Sequence, residues 1–418
     1  MKRSLSCVVV AVVGAACWVG CNNASSTYSF ETSPRPLLGN LRVGASWAPQ
    51  ISVDTAGTLY LLTMYEQNRK PRLGFTMSHD QGDTFMPIIP VSAEGAPVSS
   101  HGESSPRFIT SNTVLYASWL QPTTNGGADL MIARSLSWGE NFEKPVQITD
   151  KNHHSYAGFL SLAILPHEDV AAVWLDERDE KPNSETFSVY FAKSTDKGAT
   201  FGHNVRVADH ACPCCRPSIA ADSKGNISVA WRKVFPGEIR DMVVSNSRDG
   251  GATFDEPVAV TEDGWKINGC PDSGPSAAVL HGKLFLAWLT EGREQRARIR
   301  LAFSDDQGHS FRDSGNISGN ILDPNHPTLR IAQDERLIAV FQGRQPKENG
   351  SDWNKIQAFV VEIDGDGRSH PPVALPASAE SISYPSAAAG NGGRLFVTWT
   401  QPRGESQIAM LSRGRKSE

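Results

Sequence analysis

The segment Ser78–Phe85 reads SHDQGDTF, and the same eight-residue pattern recurs along the chain. Most copies have Asp third, Gly fifth and Phe last, while one copy has Ser137 in the Asp position. The other copies are SLSWGENF at 135–142, STDKGATF at 194–201, SRDGGATF at 247–254 and SDDQGHSF at 304–311. The third positions are 80, 137, 196, 249 and 306, so successive copies are 57, 59, 53 and 57 residues apart. A nearly constant period indicates one supersecondary unit that is repeated in tandem.

The residue types of this pattern are those of a tight turn between two strands. An Asp carboxylate accepts hydrogen bonds from nearby backbone N–H groups in such a turn, and Gly adopts a positive φ there without strain. The terminal Phe anchors the hairpin in the core. We therefore predict a structural role for the four aspartates of the intact copies, which are Asp80, Asp196, Asp249 and Asp306.

A second repeat precedes the first and predicts a pair of strands around a Gly turn. Its clearest example is Pro217–Asp222, followed by Gly225 and then Ile227–Trp231. Each half has the length and apolar character of a strand. The same arrangement recurs at Pro49–Thr63, Pro106–Trp119, Leu160–Trp174, Pro275–Trp288, Pro327–Phe341 and Pro385–Trp399. Each unit thus predicts two strands, a polar loop, a third strand, the eight-residue turn and a fourth strand.

The turn pattern resembles the Asp-box, or BNR repeat, of the sialidase-like β-propellers. The predicted fold class is therefore all-β, a propeller of seven four-stranded blades. Six blades is the alternative, because sialidases proper have six. The last unit ends after its third strand, near residues 407–412. We predict that residues 27–38 supply its missing fourth strand and close the ring, which would remove exposed sheet edges.

The repeat favours one large domain, because a single blade lacks a core of its own. The chain has 418 residues, a formal net charge of −5 and 20% charged residues, which suits an ordinary soluble surface. It has no basic stripe, which argues against nucleic acid as a partner. We expect a monomer with no membrane-spanning helix in the propeller. The predicted divisions are a signal peptide at 1–21, a tether and ring-closing strand at 22–40, and the propeller at 41–418.

The N-terminus has the features of an export signal. Lys2-Arg3 precede an apolar stretch at 8–19, and a polar segment begins at Cys21. Val19-Gly20-Cys21 resembles a bacterial lipobox, which predicts lipidation of Cys21. Cys17 is a rival site, and a plain secretory signal peptide is the other alternative. We expect an exported protein, periplasmic or on the cell surface, that is attached to the membrane only through this anchor.

The resemblance also implies which residues share the face around the axial channel. In sialidase-like propellers the links between blades and the loops between strands 2 and 3 lie opposite the Asp-boxes. The links here supply Trp47, His101, Glu103, His153, His154, Cys212, Cys214, Cys215, Cys270, Asp272, His326 and Tyr384. The loops supply Asp176, Glu177, Arg178, Arg232, Arg293, Arg344 and Arg403.

The four cysteines Cys212, Cys214, Cys215 and Cys270 stand at the start of adjacent units. In an exported protein the expected explanation is a disulfide that joins two blades, for instance Cys270 with Cys214 or Cys215. The sequence allows three complete pairings. The alternative is a thiolate site for copper or zinc, because Cys-x-Cys-Cys and a facing Cys offer soft ligands. No other cofactor is expected.

The sialidase catalytic pattern is only partly present. Sialidases grip the substrate carboxylate with arginines, and Arg178, Arg232, Arg293, Arg344 and Arg403 are the candidate ligand-binding residues here. The Arg-Ile-Pro of that family is replaced by Trp47-Ala48-Pro49. Tyr384 resembles the family's Tyr nucleophile in its setting, and Glu103 and Asp176 are available carboxylates for acid/base chemistry.

Two classes of function follow from this incomplete pattern. In the first, an exported propeller binds a glycan or another small ligand on its Cys/Arg-rich face without catalysis. In the second, the protein is a divergent exo-sialidase or other glycoside hydrolase that uses Tyr384. The fold by itself does not decide between them.

Overall fold

The computed structural model describes residues 28–41, 43–150, 155–181, 184–346, 354–378 and 380–417. The predicted signal peptide, Cys17, Cys21, His153 and His154 lie outside these residues. The described chain is all-β, with one short 3-10 turn at Pro166–Glu168. Within these ranges no helix is long and apolar enough to cross a bilayer.

The strands follow the repeat units in order. Two short strands, β1 (Tyr28–Phe30) and β2 (Arg35–Pro36), precede the first unit. The first two units form β3 (Ser46–Val53), β4 (Leu59–Gln67), β5 (Lys70–Ser78), β6 (Ile89–Pro90), β7 (Arg107–Thr110), β8 (Leu115–Pro122), β9 (Ala128–Ser135) and β10 (Val146–Gln147). The next two form β11 (Ala157–Ile164), β12 (Val170–Asp176), β13 (Phe187–Ser194), β14 (Val205–Ala211), β15 (Ser218–Ala221), β16 (Ile227–Phe235), β17 (Ile239–Ser247) and β18 (Val258–Ala259). The remaining units form β19 (Ser276–Leu280), β20 (Lys283–Thr290), β21 (Arg298–Ser304), β22 (Arg312–Asn316), β23 (Leu322–Ile331), β24 (Leu337–Arg344), β25 (Gln357–Ile363), β26 (Val373–Ala374), β27 (Ser383–Ala389), β28 (Arg394–Arg403) and β29 (Ser406–Lys416).

These strands form six hydrogen-bonded sheets in a β-propeller arrangement. Five of the sheets have four or five strands, and the sixth has eight. The wide sheet contains two repeat units, β11–β14 and β15–β18, because Ala211 of β14 pairs with Lys233 of β16. The prediction of seven separate blades is therefore not supported, since one pairing between neighbouring units merges two of the predicted sheets.

The first strand of each unit lies innermost and meets the first strand of the next unit. These contacts run from β3 through β7, β11, β15, β19 and β23 to β27, and β27 contacts β3. The cycle encloses an axial space. Between neighbouring units the core is filled by buried apolar side chains, including the Trp that ends the apolar run of strand 2 in most units. These tryptophans are Trp119, Trp174, Trp231, Trp288 and Trp399.

The sheet of the last unit takes its outer strand from the N-terminal segment. β1 pairs antiparallel with β29, with Tyr28 opposite Lys416, and β2 pairs with the same strand, with Arg35 opposite Leu411. A strand from one end of the described chain thus covers the edge of a strand from the other end. Sheet edges that are paired in this way are not available for pairing with another chain.

The eight-residue turns are held by their own carboxylates. In the copy at 194–201, the Ser194 hydroxyl and the Thr200 amide donate to Asp196 Oδ1 at 2.7 and 2.9 Å, and the Thr200 hydroxyl donates to Oδ2 at 2.7 Å. Partial burial would raise the pKa of Asp196, but these hydrogen bonds lower it to about 2. Gly251 of the next copy shows why Gly is needed, because a Cβ there would lie 2.2 Å from the Phe191 ring.

We expect the substitution Asp196→Ala to lower the free energy of unfolding by about 1 kcal/mol, because the turn loses several partly exposed hydrogen bonds. The copy at 135–142, which has Ser137 in the Asp position, supplies a matched control. Ser137 accepts one long backbone hydrogen bond, from the Asn141 amide at 3.3 Å, so Ser137→Ala should change the stability by less than about 0.5 kcal/mol. Urea unfolding of both variants measures the difference. Equal losses in the two variants would contradict a special role for the carboxylate.

Candidate functional site

An axial cavity of about 410 Å³ lies inside the cycle of innermost strands. Every innermost strand contributes one side chain to it from the same register position. In each unit this residue pairs with the residue of strand 2 that comes just before the closing residue of that strand's apolar run, which is Trp in most units. These equivalent residues are Gln50, Arg107, Ser161, Ser218, Ser276, Thr328 and Ser386. Most are small and polar, so the centre of the propeller remains open and hydrophilic. Arg107 is the one charged member of the set.

A repeated irregularity of the backbone shapes the mouth of this cavity. Two positions before the equivalent residues, the chain adopts a left-handed conformation at Ala48, Phe159, His326 and Tyr384, with φ between 51° and 58°. The strand register shifts at each of these places, as in a β-bulge. Bulges re-aim side chains, and such strained residues concentrate at functional sites. His326 and Tyr384 both line the cavity.

Tyr384 is paired with a carboxylate. Its hydroxyl donates to Asp272 Oδ2 at 3.1 Å. Burial, followed by the charge of Asp272, raises the pKa of Tyr384. Burial and the charge of Glu103 raise the pKa of Asp272 as well. Gly102 covers the pair closely, because a Cβ there would lie 3.2 Å from the Tyr384 hydroxyl and 3.3 Å from Asp272 Oδ2.

Glu103 forms the second acidic group of the site and is buried. His326 Nδ1 lies 2.8 Å from its Oε1, and the Gly274 amide donates to its Oε2 at 3.1 Å. Burial alone would raise the pKa of Glu103, but Arg216, the hydrogen bond with His326 and Arg107 lower it to about 2. The ionised carboxylate therefore holds a proton on His326 Nδ1. The ring of His326 also packs on Tyr384, with the ring centres 4.4 Å apart.

Three arginines from separate units project into the same cavity. Arg216 Nε lies 3.7 Å from Glu103 Oε2, Arg107 donates to the Glu103 carbonyl at 2.8 Å, and Arg330 donates to the Ala387 carbonyl at 3.2 Å. Desolvation, followed by the charge of Arg216, lowers the pKa of Arg330 to about 10. The same two causes lower the pKa of Arg107. The guanidinium groups therefore repel one another in an enclosed space.

Sequence reasoning did not select these three arginines as ligand-binding residues, because it considered only the loops after strand 2. Arg107 and Arg330 lie on innermost strands, and Arg216 lies in the link before β15. A comparison of equivalent positions would have found two of them. Arg107 occupies a position that is Ser in most other units. Arg330 occupies a position where other units have Ala163, Ala220, Ala278 and Ala388. A charged residue among small ones, on a strand that faces the axis, is the signal.

The predicted pair Asp176 and Arg178 lies outside this cavity. Asp176 is buried and accepts hydrogen bonds from the Trp174 indole at 2.8 Å and from Arg178 Nη2 at 2.7 Å. Arg178 also pairs with Asp150 at 3.2 Å and lies over the ring of Tyr190. These contacts assign both residues to the packing of the third repeat unit.

The other predicted arginines are also placed elsewhere. Arg232 is fully buried and donates to the Ser273 and Leu289 carbonyls at 3.2 and 2.8 Å. Arg293 pairs with Asp313 at 3.0 Å, and Arg344 pairs with Asp323 at 3.2 Å. Arg403 ends β28 in an exposed turn. These arginines thus serve blade packing and surface pairing, and the cavity takes its charge from the innermost strands and the links that precede them.

The four cysteines come together beside the cavity. The structure contains a disulfide between Cys214 and Cys270, one of the pairings that the sequence left open, and Cys212 and Cys215 are buried free thiols. A hydrogen bond from Cys215 is the main cause that lowers the pKa of Cys212 to about 6, while burial raises the pKa of Cys215. Arg216 directly follows this cluster in the chain, and Asp272 is two residues beyond Cys270. The cluster therefore joins the segment of Arg216, which lines the cavity, to the segment of Asp272, which accepts a hydrogen bond from Tyr384.

The architecture is similar to solved propellers. A protein of unknown function from Dyadobacter fermentans DSM 18053 has a TM-score of 0.55 at 13% identity, over 93% of this chain and 99% of its own. A Hadza microbial sialidase has a TM-score of 0.51 at 16% identity, over 74% of this chain and 66% of its own. A PL25 ulvan lyase, solved bound to -[GlcA(1-4)Rha3S]-, has a TM-score of 0.50 at 11% identity, over 77% of this chain and 82% of its own. No protein-family model and no curated protein sequence matches the chain. At these identities the similarity shows the fold, which the chain shares with glycan-processing enzymes.

Proposed function

We propose that this protein is a glycan-active propeller that binds the carboxylate of an acidic sugar in its axial cavity. The observation that carries the proposal is the convergence of Arg107, Arg216 and Arg330 in one enclosed space with Glu103. Guanidinium groups bind carboxylates through charge-assisted, often bidentate hydrogen bonds. A cavity of about 410 Å³ lies within the usual range for small-molecule sites and accommodates a monosaccharide.

Glu103 does not neutralise the positive charge of the three cavity arginines. Its oxygens are already engaged by His326 and the Gly274 amide, and it contributes one negative charge against three guanidinium groups. Arg216 Nε is buried and forms no hydrogen bond with the residues that the structure describes. A ligand carboxylate would supply both a partner and a compensating charge. The mutual repulsion that lowers the pKa values of Arg107 and Arg330 would then be relieved on binding.

We expect Arg107→Gln and Arg330→Gln each to weaken binding of an acidic sugar by about 10- to 100-fold, the value of one or two charge-assisted hydrogen bonds. Calorimetric titration with N-acetylneuraminic acid and glucuronic acid measures this, and glucose is the neutral control. Arg368→Gln is the matched control variant, because Arg368 is exposed and pairs only locally, with Asp366 at 2.7 Å. Arg330→Gln should also raise the thermal midpoint, because it removes a desolvated charge beside Arg216.

Two results would contradict this proposal. One is equal affinity of the wild-type protein for acidic and neutral sugars. The other is unchanged affinity in both cavity variants while they remain folded.

A second observation, the Tyr384–Asp272 hydrogen bond at the cavity mouth, favours hydrolysis over binding alone. In this mechanism Asp272 accepts the phenolic proton, and the Tyr384 oxygen attacks the anomeric carbon as the bond to the leaving group breaks. His326, which contacts Glu103 through Nδ1 and packs on the Tyr384 ring, donates a proton to the leaving oxygen. His326 then takes a proton from water, the water oxygen displaces Tyr384 from the anomeric carbon, and Asp272 returns its proton to the Tyr384 oxygen. The sugar is released with retained configuration. Glu103 acts only through His326, because its own pKa is held at about 2.

A further inference from the structure

We propose that the cysteine cluster, in its reduced form, binds one Cu(I) ion through Cys212, Cys214 and Cys270. The sulfur atoms of these three residues all lie within 4.8 Å of one another, at the junction of two repeat units. The site is separate from the sugar cavity and does not depend on the function proposed above. Thiolates are the ligands that select soft monovalent copper in proteins.

The sulfur positions fit a shared ion. Cys212 Sγ lies 3.9 Å from Cys214 Sγ and 4.0 Å from Cys270 Sγ. Three sulfurs in a trigonal plane, each about 2.3 Å from a central ion as in zinc–thiolate bonds, would be about 4.0 Å apart. Two edges of the triangle are thus already in place. The third edge joins Cys214 and Cys270, whose Cα atoms are 6.3 Å apart, and side-chain rotation after reduction of their disulfide completes it.

A disulfide between two blades explains Cys214 and Cys270 but does not explain Cys212. Cys212 is buried, its sulfur lies within 4.0 Å of the sulfurs of both, and it is covalently bonded to neither. Its sulfur accepts a hydrogen bond from Arg240 Nη1 at 3.2 Å, and Arg232 adds a second nearby positive charge. Three thiolates and one Cu(I) carry a net charge of −2. These two guanidinium groups offset part of it, because Arg240 also pairs with Glu238 at 3.0 Å.

The number of sulfurs favours copper over zinc. Cys215 lies 4.0 Å from Cys214 and forms a hydrogen bond with Cys212, but it is not a member of the mutually close group. Structural zinc sites in proteins almost always have four ligands, whereas the group here has three. The Cys270 side chain is exposed, so the ion has a path to the site.

Copper can bind at this site only after the Cys214–Cys270 disulfide has been reduced. A dithiol reductant donates two electrons and two protons to the Cys214–Cys270 disulfide and is itself oxidised to a disulfide. Cu(I) then displaces the protons of the three thiols, and the oxidation state of the copper does not change. The disulfide and the copper-bound form are therefore two states of the same sulfurs.

The test uses the full chain, which is treated with a dithiol under nitrogen and freed of reductant. It is then titrated with the Cu(I)–acetonitrile complex against a competing Cu(I) chelator. We expect one copper per chain by elemental analysis. Cys212→Ser should lower the affinity at least about 100-fold, since even the loss of an outer-shell partner costs 10- to 100-fold. Cys270→Ser should do the same, and because Cys270 is exposed this variant guards against a folding defect. Cys215→Ser is the comparison variant: it keeps a hydrogen-bond donor toward Cys212, so it should lower the copper affinity by less than about 10-fold.

Several outcomes would overturn the proposal. They are a Cys214–Cys270 disulfide that resists the dithiol, reduced protein that binds no stoichiometric copper, and equal copper affinity in Cys212→Ser and the wild type. Tighter binding of zinc that is lost in Cys215→Ser would replace the three-sulfur copper site with a four-sulfur zinc site.

Discussion

The substitution Tyr384→Phe is expected to lower kcat for hydrolysis of an acidic-sugar aryl glycoside at least about 1,000-fold, the scale on which loss of a nucleophile is felt. Phe keeps the ring that packs on His326 and removes only the hydroxyl that Asp272 accepts from. Because the arginines of the cavity are untouched, the Kd for the free acidic sugar should stay within about threefold, well under the 1.4 kcal/mol of a tenfold change. Release of the aryl group and calorimetric titration measure the two quantities on the same preparation.

The chain offers a matched control for this experiment. Tyr60 donates to Asp54 Oδ2 at 2.9 Å, which is the same pairing outside the axial cavity. Tyr60→Phe should leave kcat unchanged. If Tyr384→Phe hydrolyses the glycoside as the wild type does, Tyr384 is not the nucleophile. If the wild type binds acidic sugars but cleaves no glycoside in a broad panel, the protein is a binding propeller and the hydrolytic mechanism is rejected.

The pH dependence of hydrolysis is an independent test of Asp272 as the group that accepts the phenolic proton. Asp272 accepts the phenolic proton only when it is ionised, so activity falls as pH drops through its pKa. Burial and the charge of Glu103 raise that pKa, which places the acidic limb of kcat/KM above the ordinary value for Asp. Asp272→Asn should abolish this limb together with most of the activity.

The local parts of this fold could be predicted from the sequence, and the parts set by distant pairings could not. The turns at Asp80 and Asp196 are held by hydrogen bonds that span four residues or fewer, so eight residues suffice to specify them. The number of sheets depends on whether neighbouring units pair. One contact, between Ala211 and Lys233, merges two of them, and no local pattern marks it.

The same distinction holds for the site. The sequence placed Tyr384 and Glu103 on the axial face and the cysteines side by side, because those positions follow from the order of the units. It did not identify Arg107 and Arg330, since the direction of a side chain on an innermost strand depends on where the bulge falls. The left-handed residues that mark the bulge, such as His326 and Tyr384, are not residues that favour a positive φ.

The substitution Glu103→Ala is expected to lower the free energy of unfolding by about 3–5 kcal/mol, the usual cost of removing one partner from a buried charge cluster. The variant leaves Arg216 and His326 without the carboxylate and the Gly274 amide without its acceptor. Glu294→Ala is the matched control, because Glu294 pairs with Arg298 at 2.9 Å in a partly exposed ion pair, and such pairs contribute about 0–1 kcal/mol. Urea unfolding at neutral pH measures both variants.

Two further measurements distinguish loss of the charge cluster from loss of packing. The double variant Glu103→Ala/Arg216→Ala should be less destabilised than the sum of the two single variants, because it removes both members of the pair. The pKa of Glu103 is lowered from 4.5 to about 2 in the folded protein, so its contribution is complete above pH 4.5 and is lost as pH falls toward 2. The stability of the wild type and of Glu103→Ala should therefore converge over that interval. A gap that stays constant from pH 7 to about pH 2 would assign the whole effect to packing, because only the ionised form of Glu103 binds Arg216 and His326 by charge.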